Sequence, residues 1–274
     1  MNIFKLRKFV CLPIILISFF SIESFSESIE EVVVKGSWRE KSANQEDSSF
    51  ILFSSKNVKA QSMKHFEQLS FLVPNLNFAA SDSRARYFQI RGIGERSGYQ
   101  GTPNSSVGLL IDDIDYSGQG GIATTFDVNQ IEVFRGPQGA RIGANALAGL
   151  IYIQTKDPTD TFEATSEATI GTYGTKSTGI ALGGPLDQNS NITYRIALRK
   201  DQADGFRKNY FLKRSDTSRK DETTRRLKVN WQLAGNTKIK FLISQVDLND
   251  PADIWTIDGS LNTLSDRPGM DSQK

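Results

Sequence analysis

The residue types that most often do chemistry are scarce in this chain. Its 274 residues include one cysteine, Cys11, and one histidine, His65. A zinc site built on Cys and His is therefore excluded, and so is a disulfide within the chain. Asp112, Asp113 and Asp115 lie close enough together to suggest a cation site. Calcium takes about six to eight oxygen ligands, and three acids on one strand and turn fit a solvated turn better. Gly92-Ile93-Gly94 with Gly98 has neither the dinucleotide-binding spacing nor a βαβ context. His65 sits off the apolar stripe of Met63, Phe66 and Leu69 and reads as a surface residue of a helix. No nucleophile, base and orienting group form a set. No catalytic residue, metal or cofactor is expected. Two polar, glycine-rich loops stand out. Residues 95–105 offer Arg96, Tyr99 and Gln100, and residues 116–121 open with Tyr116.

The formal net charge is +2, and it comes from the first 26 residues, where Lys5, Arg7 and Lys8 outweigh Glu23. The remainder is neutral and gives no footprint for nucleic acid. Residues 5–8 are basic and residues 9–22 are apolar except for serines. Ser24-Phe25-Ser26 then places small residues before a cut at Glu27. This is the pattern of a secretory signal peptide, and Cys11 leaves with it. The apolar run falls short of the about 20 residues that a spanning helix needs. Any later crossing of a membrane must use strands.

Elements must position the two loops. Val32-Val33-Val34 favours an extended backbone, and residues 37–50 are polar and read as mobile. Met63, Phe66, Leu69 and Val73 predict a helix over 61–73, stopped by Pro74. Strand-like runs follow at Tyr87–Arg91, Val107–Ile111, Gln130–Phe134 and Leu150–Thr155. Up to about Pro158 the pattern is α+β.

From about residue 160 apolar and polar residues alternate. Phe162 to Ile170, Ile192 to Leu198, Leu227 to Leu233 and Ile239 to Ile243 each follow period two. Runs of about ten residues suit a tilted strand crossing a bilayer. Gly183-Gly184-Pro185 to Asn191 and Ala234-Gly235-Asn236 read as turns, and Ala203 to Asp221 as a longer basic connection. A soluble sandwich alternates as well. The export signal and the recurring strand length favour a membrane barrel.

Three motifs fall in order. The first is Glu30-Glu31-Val32-Val33-Val34. The second is Phe88-Gln89-Ile90-Arg91-Gly92-Ile93-Gly94, followed by Val107 to Ile114. The third is Ile131 to Gly139, with Arg135-Gly136-Pro137 at its centre, followed by Gly143 to Ile151 with Asn145 and Gly149. This chain resembles TonB-dependent outer-membrane receptors, over the plug domain and the first barrel strands. The resemblance implies an α+β plug domain followed by antiparallel β-strands of a transmembrane β-barrel of about 22 strands. It also implies location in the cell outer membrane and energised uptake of a scarce ligand, usually a ferric siderophore. Glu30–Val34 would be the TonB box, contacting TonB with ExbB and ExbD. An acidic, β-branched segment of this kind can add as a strand to a partner's sheet edge. Arg91-Gly92 and Arg135-Gly136-Pro137 would position the plug, each arginine pairing with a carboxylate on the barrel wall.

The expected organisation is a signal peptide at 1–26, a TonB box and flexible leader at 27–60, a plug at 61–158 and barrel strands at 159–274. Five or so strands cannot close a barrel, so the chain reads as the N-terminal fragment of a longer, monomeric receptor embedded in outer-membrane lipid. Departures from the family pattern, Arg141-Ile142-Gly143 and Ala148-Gly149, are mild. Two other readings are a complete plug-only periplasmic binding module and a secreted soluble β-sandwich.

Overall fold

The computed structural model describes residues 33–36, 41–42, 48–61, 63–80, 84–97, 104–187, 190–233, 235, 237–251, 253 and 261–264. The expected signal peptide, Glu30, Glu31, Val32, Tyr99 and Gln100 lie outside the described residues.

The described chain begins with β1 (Val33–Val34), which pairs antiparallel with β2 (Lys41–Ser42). Next come β3 (Phe50–Ser54), α1 (Ser55–Ala60), α2 (Phe66–Leu69), β4 (Leu76–Ala80) and β5 (Ala85–Ile90). Then follow β6 (Val107–Ile111), β7 (Ile114–Asp115), β8 (Val128–Phe134), α3 (Gly139–Ile142) and β9 (Gly149–Thr155). β4 and β5 form a hairpin. The remaining strands from β3 to β9 build a five-stranded sheet in the order β3-β8-β9-β6-β7. β9 lies at its centre, and its whole length, Gly149-Leu-Ile-Tyr-Ile-Gln-Thr, is buried, as a strand covered on both faces requires. Phe66, Leu69, Phe88, Ile90, Leu109 and Ile131 pack on one side of it. The four expected strands of this half lie within about two residues of their expected places.

The expected helix over 61–73 is not continuous. Residues 63–65 run extended and bridge to Thr124, with Thr125 Oγ1 donating to Met63 O at 2.6 Å. Helix begins only at Phe66 and tightens into a 3-10 turn at Ser70–Leu72. The stripe Phe66, Leu69 and Val73 is nevertheless buried as its spacing implies. His65 is the correction. It is buried rather than on the surface, because its ring caps α2. Phe50–Ser54, placed by expectation in a flexible leader reaching residue 60, is an edge strand of the sheet, in register with β8.

The second half is an antiparallel meander of β10 (Glu163–Ile170), β11 (Lys176–Pro185), β12 (Ile192–Ala203), β14 (Lys220–Gln232) and β15 (Lys238–Leu248). In the connection from β12 to β14, β13 (Lys208–Asn209) pairs in parallel with β16 (Asn262–Thr263), which follows β15. Gly183-Gly184-Pro185 belongs to the end of β11, so the turn starts three residues later than expected, at Leu186. The two glycines keep the strand because Gly183 lies against the backbone of Tyr194 on β12.

The two faces of this sheet are inverted relative to a soluble protein. Cross-strand rows Leu182–Ile196–Leu227–Ile243 and Gly184–Tyr194–Val229–Phe241 point away from the rest of the chain. Phe241 and Ile243 are half exposed. The intervening rows, such as Gly183–Arg195–Lys228–Leu242, face the α+β domain, and Arg195, Arg199, Arg226 and Lys228 are buried there. A sandwich buries its apolar face. A transmembrane barrel wall presents it to lipid.

Candidate functional site

The meander and the α+β domain meet through charge. Asp127 precedes β8 with a φ of 55° and accepts two hydrogen bonds from the Arg195 guanidinium, at 2.8 and 2.6 Å. Lys228 donates to Asp112 Oδ1, Asp157 Oδ1 and Thr155 O, at 2.9, 3.0 and 3.0 Å. Arg84 donates to Glu222 at 2.8 Å and Asp250 at 2.7 Å, and Glu67 lies beneath it at 3.7 Å. The Arg199 guanidinium covers the Phe126 ring at 5.1 Å. Arg84, Arg195, Arg199 and Lys228 each have a carboxylate or a ring, the usual condition for burying charge, whereas Arg226 donates to the Phe126 carbonyl at 3.5 Å.

His65 lies beside the Glu67–Arg84 group. Its Nδ1 accepts the Glu67 N–H at 3.3 Å and its Nε2 faces Gly121 O at 3.0 Å. Only the neutral ring with hydrogen on Nε2 satisfies both. Burial, and then the Arg84 cation, push its pKa down to about 4.

The three acids of the 112–115 turn do not converge. Asp112 and Asp113, with φ of 49° and 68°, form the two-residue turn between β6 and β7. Asp112 turns inward to Lys228 and to Thr155, whose N–H and Oγ1 it accepts at 2.9 and 2.5 Å. Its carboxylate is thus buried, contrary to the expectation of a solvated turn. Asp113 pairs with Arg141 at 2.6 Å, and Asp115 accepts from Asn145 at 2.7 Å. These acids serve as three separate struts.

A further contact lies at the start of the described chain. Val34 is fully buried among Phe134, Leu150 and Tyr152. The N–H groups of Lys35 and Gly36 donate to the two oxygens of Glu132, at 2.8 and 2.6 Å.

Residues 42–150 match the family described as the TonB-dependent receptor plug domain. The chain is 26% identical over 179 residues to the pesticin receptor of Yersinia enterocolitica, covering 65% of this chain and 26% of that one. It superposes on the ferric yersiniabactin uptake receptor of Yersinia pestis with a TM-score of 0.65 at 23% identity, over 75% of this chain and 32% of that one. It superposes on the pyoverdine outer membrane receptor of Pseudomonas aeruginosa with a TM-score of 0.67 at 16% identity, over 80% and 30%. Residues 42–150 are a TonB-dependent receptor plug domain. The chain spans about a quarter of the length of the curated relatives it matches, and those relatives are named as receptors.

In the plug, the two motif arginines do not make the expected bonds to the wall among the described residues. Arg135 donates to Ser49 Oγ at 2.8 Å, inside the plug. Arg91 is exposed, with a φ of 53°, at the turn after β5. Arg84, Asp112, Asp127 and Glu67 hold the wall instead. Gly149 has a clear steric reason, since a Cβ there would lie 2.4 Å from Phe134 O and 2.5 Å from Ile90 Cδ1. Arg96 is exposed. Tyr116 is half-buried and lines a cavity of about 190 Å³ between plug and wall, with Asp112, Arg226, Leu242 and Ser244. The ion-pair residues went unnoticed in the sequence because Asp127, Arg84 and Glu67 belong to no local pattern. Only the period-two rows of the barrel strands hinted that Arg195 and Lys228 face inward.

Proposed function

We propose that this chain is the N-terminal part of a TonB-dependent outer-membrane receptor that imports a scarce ligand, a ferric siderophore, with energy delivered through TonB, ExbB and ExbD. The observation that carries this is the plug seated against the charged face of a sheet whose opposite face is apolar. In this reading residues 1–26 are removed on export, Glu30–Val34 form the TonB box, and the receptor acts as a monomer in outer-membrane lipid. Arg96, Tyr99, Gln100 and Tyr116 are the ligand-contact candidates on the plug. Arg91, Gly92, Arg135, Gly136, Pro137, Asn145 and Gly149 shape the plug for docking and release. The protein performs no covalent chemistry on its ligand. The names of similar proteins support the ligand class, one being a ferripyoverdine receptor and another a ferric yersiniabactin uptake receptor.

The test is uptake of iron-loaded siderophores by cells that carry the gene, with and without TonB. Uptake that disappears in the TonB-deficient host supports the proposal. Equal uptake in both hosts, or none for any ferric siderophore, overturns it.

A further inference from the structure

One carboxylate in the middle of the plug has no part in the ion pairs with the wall. Glu132 lies on β8 and is fully buried. Burial pushes its pKa above the usual carboxylate range, against the pull of the backbone N–H groups it accepts. Those groups come from Lys35 and Gly36, 97 and 96 positions away. Gln130 Nε2 joins the arrangement, donating to Val33 O at 3.0 Å and to Glu132 Oε1 at 2.5 Å. The side chain of Val34 fills the apolar hollow next to them. Gly36 fits only because it has no side chain. A Cβ there would lie 2.4 Å from the Phe134 ring and 2.6 Å from Glu132 Oε2.

We propose that Glu132 is a positioning residue, a clasp that holds residues 33–36 on the plug and so competes with the periplasmic partner for the leader strand. Partner binding by strand addition uses the backbone N–H and C=O groups of the leader. In this structure those of residues 33–36 are engaged by Gln130, Glu132 and β2. A buried carboxylate stripped of two N–H donors is costly, so the leader departs only when water reaches Glu132 to replace them. The competition rests on the reading of Glu30–Val34 as the partner's strand. The clasp itself rests on the hydrogen bonds alone.

Two substitutions test it by different routes in the receptor held in detergent micelles. Glu132→Gln keeps the shape and turns one acceptor into a donor that faces an N–H. Gly36→Ala adds a methyl group where there is no room, and it lies in the leader, outside the plug sheet. Hydrogen–deuterium exchange of the Lys35 and Gly36 amides is read by mass spectrometry, beside the affinity of the isolated periplasmic domain of TonB. Both variants are expected to exchange at these amides about tenfold faster or more, with β9 unchanged and partner affinity raised by a similar factor. Unchanged exchange at Lys35 and Gly36 in both variants overturns the clasp. If Glu132→Gln disturbs the plug, Gly36→Ala alone decides. Faster exchange with unchanged affinity overturns the competition, whereas partner binding that survives deletion of residues 30–34 overturns the assignment of the leader as the partner's strand.

Discussion

Arg195, on a barrel strand, grips the carboxylate of Asp127 on the plug with two hydrogen bonds at 2.8 and 2.6 Å, and both side chains are buried. Removing one partner leaves the other charge buried without compensation. Asp127→Asn is therefore expected to destabilise the plug–wall contact by about 2–4 kcal/mol. Pairing it with Arg195→Met should recover part of that loss. Thermal unfolding of the four proteins of the cycle, in detergent, measures the coupling. An Asp127→Asn protein as stable as the parent would show that the pair contributes nothing.

His65 makes stability depend on pH. Its folded pKa, about 4, lies below its ordinary value of 6.5. The unfolded chain therefore binds a proton that the folded one refuses. The contribution is fully present above about pH 6.5 and is lost as pH falls toward 4, and it amounts to on the order of 3 kcal/mol. His65→Asn retains a side-chain oxygen that can cap α2 and cannot titrate. The difference in melting temperature between parent and variant should shrink steadily from pH 7 to pH 4.5. A constant difference would mean that His65 does not titrate on unfolding.

Gly149 carries a purely steric demand. Gly149→Ala is expected to cost about 2 kcal/mol, because the new methyl group meets the Phe134 carbonyl, which cannot move without breaking the β8–β9 pairing. Urea unfolding of the two proteins gives the number. The same substitution at Gly139, where a Cβ meets nothing within 4 Å, serves as the control and should be near neutral.

The outward rows of the meander separate a membrane wall from a soluble sheet. Leu227 lies mid-strand between Ile196 and Ile243 on the outward face. Leu227→Arg in the full receptor should cost about 2–4 kcal/mol in lipid and sharply reduce the amount recovered in outer membranes. A soluble sheet would accept an exposed arginine with little effect. Membrane fractionation distinguishes the two.

The sequence by itself settled the broad architecture. Period two from about residue 160 placed the strands, since a pleated strand must alternate faces whatever surrounds it. β11 is the exception, because its Thr178, Gly179 and Gly183-Gly184 weaken the alternation. The short apolar runs of the plug were legible because a central strand buried on both faces has to be apolar throughout. The motif around Arg135-Gly136-Pro137 pointed to the plug through its resemblance to the family.

Tertiary structure decided which residues meet. His65 looked like a surface residue because helical periodicity describes a face, whereas a capping position is set by where the chain enters the helix. Arg135 and Arg91 were the motif arginines, yet Arg84 and Asp127 hold the wall. Ion pairs across a domain boundary depend on register between segments far apart in the chain, and no local pattern encodes that register. Glu132 is the clearest case. In the sequence it is one acid in a strand, and only the return of Lys35 and Gly36 from 97 and 96 positions away gives its buried charge partners.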